Sequence, residues 1–132
     1  MDEANYRELL VWQKAMKLGV IIYKLVDKLP KKELYSLSDQ MRRAAVSIPS
    51  NIAEGHSRYT KKDFAHFLVI ARGSKSELET QLLLCVEVGY LKEADILEAM
   101  NLLTELSKML TSFIKKTDEH LVTKLSCLGT RN

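Results

Sequence analysis

The sequence of this chain predicts an all-α protein, folded as a single antiparallel up-down-up-down four-helix bundle over residues 1–132. Its 132 residues include only five glycines and two prolines, too few for the many turns of a β protein. Apolar residues recur every three or four positions, as they do on the buried face of an amphipathic helix. Segments with this spacing, joined by short loops, are typical of helical bundles. They cover about residues 6–28, 36–57, 61–88 and 92–117.

The first predicted helix has an apolar face wider than one bundle core requires. One row, at alternating steps of three and four, comprises Leu9, Trp12, Met16, Gly19, Tyr23 and Val26. A second row beside it comprises Ala15, Leu18, Ile22, Leu25 and Leu29. A helix that is apolar over so much of its circumference is usually covered on two sides, which predicts a homo-oligomer. Trp12, Tyr23 and this second row are the candidate interface residues, and a place in the bundle core is the alternative for all of them.

Capping signals mark the ends of the predicted helices. Ser36 stands three residues before Asp39, and Thr60 stands three residues before Asp63, so both pairs predict helix N-termini. Gly89 supplies the left-handed residue that commonly closes a helix, here the third. The remaining tail, residues 118–132, has weaker periodicity and is predicted to be a frayed end.

The stretch AAVSIPSNIAEG, residues 44–55, places a proline inside the second predicted helix. Pro49 lacks a backbone N–H donor and its ring crowds the preceding turn, so a kink is expected there. Polar side chains around it, and on the flank of the third helix, predict a structural network between the two helices rather than a ligand site. Within this network Arg72 and Glu79 are expected to pair. The predicted network comprises Arg43, Asn51, Glu54, Arg72 and Glu79.

The charge of the chain is concentrated in its middle. The net charge is only +3, but residues 40–75 hold seven Lys or Arg against two Asp or Glu. The loop HSRYTKK, residues 56–62, gathers cations around an aromatic residue that could stack on an unpaired base. In an antiparallel bundle the end of the fourth helix adds two lysines at the same place. The predicted nucleic-acid-binding residues are Arg58, Tyr59, Lys61, Lys62, His56, Lys115 and Lys116.

Two longer stretches resemble a known family. YSLSDQMRRAAVSIPSNIAEGHSR and FAHFLVIARGSKSELETQLLLCVEVGYL resemble the four-helix-bundle proteins encoded in intervening sequences of large-subunit ribosomal RNA genes, often labelled ribosomal proteins. The resemblance covers about residues 6–115. It extends to the accessory variability determinant proteins of diversity-generating retroelements, which form a homopentameric barrel and bind nucleic acid and a reverse transcriptase. It therefore implies a ring-like homo-oligomer, a pentamer, that binds nucleic acid, with RNA favoured. Lys75 departs from the family, whose members usually place an apolar residue there.

Other classes of function find little support in the sequence. The three histidines lie apart with no HExxH motif, and the two cysteines have no CxxC companion, so no metal, cofactor or catalytic residue is predicted and no enzyme is expected. No apolar run approaches the roughly 20 residues that span a bilayer, and the start has no secretory signal, which predicts a cytoplasmic protein without a membrane partner. A protein-interaction scaffold that binds no nucleic acid is the alternative function.

Overall fold

The computed structural model describes residues 5–117 and is all-helical over that range, with four helices and no strand. Helix α1 spans Leu10–Val26, α2 spans Leu37–His56, α3 spans Lys61–Glu87 and α4 spans Glu93–Thr117. Single 3-10 turns, Tyr6–Glu8 and Lys31–Glu33, precede α1 and α2. The predicted frayed tail lies outside the described residues.

The four helices form a bundle in which each one contacts two others. Helix α1 lies against α2 and α4, and α3 lies against the same two helices. Helices α1 and α3 are therefore diagonal across the core. The core is a continuous cluster of aliphatic side chains, and its largest fully buried members include Leu18, Ile22, Met41, Ile48, Ile52, Leu68, Leu78, Leu82, Leu103, Leu106 and Leu110.

The first helix begins later than the sequence predicts. Leu9 has an extended backbone, so a 3-10 turn capped by the Asn5 side chain is separated from α1 proper. At the other end α1 stops at Val26, and Leu29 is buried before Pro30. Proline disfavours helical geometry at the residue before it, so α1 cannot continue through Leu29 into Pro30.

Two of the three capping predictions hold in detail. Thr60 Oγ1 accepts a hydrogen bond from the Asp63 backbone N–H at 3.1 Å, and Gly89 has a φ of +85° at the end of α3. Ser36 precedes α2 but makes no capping bond to it. Its hydroxyl instead donates to the Glu33 carboxylate at 3.2 Å, because the 3-10 turn brings that side chain within reach.

The row of α1 with Ala15, Leu18 and Ile22 enters the core along its length, whereas the other row reaches the core mainly at its end, where Val26 is buried. Ala15, Leu18 and Ile22 are completely buried, whereas Met16 and Tyr23 of the other row are 44% and 46% exposed. The sequence could not decide between the rows, since both have helical spacing. Among residues 5–117 no helix combines the length and apolar character needed to cross a lipid bilayer.

Candidate nucleic-acid interface

An aromatic cluster joins three helices at one end of the bundle. The rings of His56 and Phe64 meet edge-to-face with centroids 5.7 Å apart, and those of Phe64 and Phe113 do so at 5.0 Å. These residues lie at the end of α2, the start of α3 and the last turns of α4. The loop 57–60 and the final turn of α4 therefore lie at the same end, which we call the basic end.

Two exposed lysines occupy the first turn of α3 at the basic end. Thr60 caps the helix, and Lys61 and Lys62 follow it directly with their side chains in solvent. A cation near a helix N-terminus is unfavourable by about 0.3–1 kcal/mol, because the macrodipole is positive there. Helix stability therefore does not explain this pair of lysines, although Asp63 in the same turn offsets part of their effect.

Lys115 and Lys116 occupy the last turn of α4 and are also exposed. Cations near a helix C-terminus favour the helix, so the position of these two is explained equally well by helix stability. Lys116 and Lys108 also line a shallow depression of about 410 Å³ between α4 and the start of α1. Lys108 was missed by sequence reasoning, although its spacing of eight residues from Lys116 places both on one helix face.

Arg58 differs from the lysines because its charge is already engaged. Its Nη2 donates to Glu54 Oε1 at 2.6 Å, and its guanidinium lies 4.8 Å from the centroid of the Phe67 ring. The ion pair has the i,i+4 spacing, with the acid first, that favours pairing on a helix, and the aromatic contact links the end of α2 to α3. Tyr59 next to it is fully exposed. An exposed aromatic ring flanked by cations offers a stacking surface for a base.

A small polar network does join α2 and α3, but with different members from those expected. The hydroxyl groups of Ser47 and Ser74 are 2.7 Å apart, and Asn51 Nδ2 donates to Ser47 Oγ at 2.9 Å. Of the residues predicted for the network, Asn51 takes part in it, through its hydrogen bond to Ser47. Ser74 was missed, because a buried serine in an apolar stripe resembles any other small core residue.

Three of the remaining predicted network residues, Arg43, Glu54 and Glu79, pair with residues four positions away along the chain. Arg43 pairs with Asp39 at 3.0 Å, and Glu54 pairs with Arg58 as described. The expected Arg72–Glu79 pair requires correction, because Glu79 is 3.6 Å from Lys75 Nζ. Residues seven apart on one helix are separated by about 10.5 Å along its axis, whereas residues four apart are neighbours. Lys75 is 8% exposed, so its partner helps to satisfy a nearly buried ammonium group.

A groove of about 730 Å³ runs along the outside of the bundle between α1 and α2. We call it the α1–α2 groove. Trp12 and Tyr23, the candidate interface residues, both line it, together with Val46 and Pro49 of α2. Trp12 is half-buried and stacks edge-to-face on Tyr6 at 5.3 Å. The row of α1 that stays outside the core therefore forms one wall of this groove.

Metal-ligating side chains do not cluster in the described structure. Within residues 5–117 no three His, Cys, Asp or Glu side chains converge as they would around a metal ion. Burial, with a smaller contribution from the negative charge of Glu33, raises the pKa of the Cys85 thiol. This free cysteine, 3.7 Å from the Met41 sulfur, is a core residue rather than a nucleophile.

The fold and its surfaces define the class of protein: a helical bundle with a cluster of cations at one end and an apolar groove on one side. The chain belongs to the 23S rRNA-intervening sequence protein family, whose model matches residues 7–112. Among solved structures, it is similar to a protein of unknown function from the S23 ribosomal protein family of Bacteroides thetaiotaomicron. The two are 30% identical over 80% of this chain and 99% of that one, with a TM-score of 0.75. A search of curated proteins finds no match.

Proposed function

We propose that this chain is a non-enzymatic, oligomeric bundle protein that binds nucleic acid, with RNA favoured, through its basic end. The observation that carries the proposal is the Phe64–Phe113 contact, which brings the first turn of α3 and the last turn of α4 together. Four exposed lysines then share one end of the molecule, beside the exposed ring of Tyr59. Lysines contact phosphates without reading sequence, and an aromatic ring stacks on an unpaired base. This combination suits structured RNA with single-stranded loops.

The proposal includes an antiparallel, up-down-up-down course of the four helices. Contacts between neighbouring helices support it: Cys85 near the end of α3 meets Met41 near the start of α2. Lys28 just after α1 likewise pairs with Asp95 near the start of α4 at 3.2 Å. In such a course the loop after α2 and the end of α4 fall at one end.

The proposed assembly is a homo-oligomer through the exposed row of α1, with Trp12 and Tyr23 at the interface. The apolar α1–α2 groove supports this, since solvent-exposed apolar surfaces of that kind commonly mark interaction sites. A pentameric ring and a kinship with the accessory variability determinant proteins rest on the sequence resemblance alone. A ring would repeat the basic end around its axis, so that weak phosphate contacts add by avidity. The buried free thiol of Cys85 suits the proposed cytoplasmic location.

The test is a salt series of binding to a stem-loop RNA and to a DNA duplex of matched length. The slope of log affinity against log salt counts the phosphates neutralised, at roughly 0.7–0.9 for each contact. We expect the variant Lys61→Glu/Lys62→Glu to lower RNA affinity and to reduce the magnitude of this slope by about 1–2. Arg58 is left unchanged, because its pairing with Glu54 and Phe67 would confuse a loss of binding with a loss of stability.

A matched control comes from the opposite end of the bundle. Lys31 and Lys32 are likewise adjacent and exposed, in the 3-10 turn before α2. K31E/K32E changes the net charge by the same amount as the first variant. It should retain most of the RNA affinity, because the change lies away from the basic end. Equal losses in the two variants would indicate a non-specific effect of net charge and would remove the basic end as the site.

A second candidate function is a protein-interaction scaffold that binds no nucleic acid. The α1–α2 groove favours it, because apolar walls at least 20 Å long could accept a helix of another protein. Absence of RNA and DNA binding at roughly 50 mM salt, where phosphate contacts are strong, would favour this function over the first.

A further inference from the structure

Two glycines inside helices have no explanation within a single protomer. Gly55 and Gly89 are explained by a close approach of α3 and by a positive φ, respectively. A Cβ atom added at Gly19 or at Gly73, however, would meet nothing within 4 Å. Glycine destabilises a helix interior relative to alanine, and it is useful where another backbone must approach closely. Both positions therefore point to a contact with something outside the protomer.

Gly19 lies in the α1–α2 groove, among exposed apolar side chains. Met16 and Val20 of α1 are 44% and 55% exposed, and Val46 of α2 is 48% exposed. The absence of a side chain at Gly19 widens the groove at this point of the α1 wall. A helix lying in the groove could therefore approach the α1 backbone at Gly19 more closely than elsewhere.

Gly73 lies on a weakly polar face of α3 that is turned away from the core. We call this the α3 outer face; its members recur at steps of three and four and are all exposed: Ile70, Gly73, Glu77, Thr80, Leu84 and Val88. The face carries no lysine or arginine. Its apolar residues are large for a surface helix, with Leu84 48% and Val88 52% exposed.

The α3 outer face and the α1–α2 groove match in length and charge. The face extends about 27 Å from Ile70 to Val88, and the groove about 22 Å from Trp12 to Asp27, at 1.5 Å per residue. The groove and the adjoining depression on α2 are lined by three cations, Lys24, Arg42 and Arg43, and by two carboxylates, Asp27 and Asp39. Their net charge of +1 is opposite in sign to that of the face, which contributes Glu77 and no cation, so the charges of the two surfaces favour their contact.

We propose that the α3 outer face of a second copy of this chain lies in the α1–α2 groove, with Gly73 of one protomer near Gly19 of the other. Because α3 is diagonal to α1, the groove and the face lie on different sides of a protomer and can be occupied at the same time. Contacts between two unlike surfaces are heterologous, and they close into a ring when the rotation permits. The inference rests on the oligomer of the proposed function and names its two surfaces; it does not depend on nucleic-acid binding.

The test is cysteine cross-linking between the two surfaces in a Cys127→Ser background. Ser50→Cys places a thiol on the exposed wall of the groove, and Thr80→Cys places one on the α3 outer face. A flexible bis-maleimide tolerates differences in register, and buried Cys85 does not compete for it. The double variant should form a ladder of covalent multimers, whereas each single variant should remain at the protomer mass of 15.1 kDa on a denaturing gel.

The control pairs Ser50→Cys with Ser112→Cys, an exposed position on α4, and should give no ladder. Dimers formed by Ser50→Cys alone would mean that the groove packs on another groove, which overturns the inference. No ladder from the double variant, in a protein whose light-scattering mass is that of an oligomer, would overturn the inference while leaving the oligomer intact. A protomer mass at micromolar concentration would overturn both.

A second measurement uses the glycine itself. Gly73→Leu should leave the helical circular dichroism of the protomer unchanged, since nothing in the protomer lies within 4 Å of the new Cβ. It should weaken assembly by roughly tenfold or more, because overfilling a close contact is destabilising. Asn101→Leu, which adds the same side chain at an exposed position on α4, should leave the dissociation constant unchanged. A Gly73→Leu oligomer as stable as the wild type would contradict the proposed contact.

Discussion

Gly55 allows α2 and α3 to approach each other, and its replacement by alanine should destabilise the protein. An added Cβ would lie 2.7 Å from Phe67 Cβ, 2.9 Å from Phe64 Cδ1 and 3.2 Å from the Phe64 carbonyl oxygen. Carbon atoms in favourable contact are about 3.5–4.0 Å apart. The new methyl group would thus overlap its neighbours by about 1 Å, and Phe67 Cβ cannot move without the α3 backbone.

Two opposing terms set the magnitude of the Gly55→Ala effect. Overpacking of a well-filled contact costs about 1–3 kcal/mol, or more where the backbone must shift. Alanine stabilises a helix interior by about 0.5–1 kcal/mol relative to glycine. Because the closest overlap involves an atom attached directly to the backbone, we place the packing cost at the upper end. The net expectation is a loss of about 1–2 kcal/mol in the free energy of unfolding.

The assay is urea denaturation followed by circular dichroism at several protein concentrations, so that any coupling to assembly is separated from the stability of the protomer. Gln40→Ala, at an exposed position near the start of α2, is the control and should change the free energy of unfolding by less than about 0.5 kcal/mol. The midpoint of Gly55→Ala should fall with an unchanged m-value. A Gly55→Ala protein as stable as the wild type would refute the close approach.

Three further predictions concern the caps and the buried thiol. Thr60→Ala removes the bond to the Asp63 N–H and should lower the free energy of unfolding by about 1 kcal/mol in the same assay, whereas Thr60→Ser should retain most of it. The Asp95 carboxylate accepts a hydrogen bond from the Lys92 backbone N–H and pairs with Lys28, and both contacts lower the pKa of Asp95. The stability that these contacts contribute is therefore present above the pKa of Asp95 in the unfolded chain, and it is lost as the pH falls through the pKa of Asp95 in the folded protein. Thermal melts of the wild type and Asp95→Asn should therefore converge in acid, and a constant difference would contradict this assignment. Burial raises the pKa of the Cys85 thiol, so its alkylation at pH 8 in a Cys127→Ser background should be slow and should accelerate in urea. Fast alkylation of the folded protein would show that the thiol is accessible.

The sequence predicted the positions of the helices far better than the side-chain contacts between them. Helical periodicity, the Thr60 cap and Gly89 located α2, α3 and α4 to within about one residue, because these signals act within a few positions of each other along the chain. The start of α1 was placed four residues too early, because the 3-10 turn and the extended Leu9 leave no mark in the apolar spacing. The kink at Pro49 stays a prediction.

In the candidate site, too, the sequence predicted the residues better than their contacts. The sequence identified the lysines of the basic end, because clustered charge is visible without a structure. It could not show that the Arg58 guanidinium also lies against the Phe67 ring, since Phe67 comes from the next helix. It likewise missed Ser74, whose hydroxyl has a partner only because α2 and α3 lie side by side.

The sequence by itself determined that this chain forms long amphipathic helices with one unusually wide apolar face, and that its cations gather around residues 56–62. Only the tertiary structure decided which row of α1 enters the core: the row with Ala15 and Leu18, not the row with Met16 and Tyr23. The physical reason is that periodicity defines an apolar stripe on a helix but not the rotation of that helix about its own axis. That rotation depends on the shapes of the surfaces against which the helix packs, and those surfaces come from distant parts of the chain.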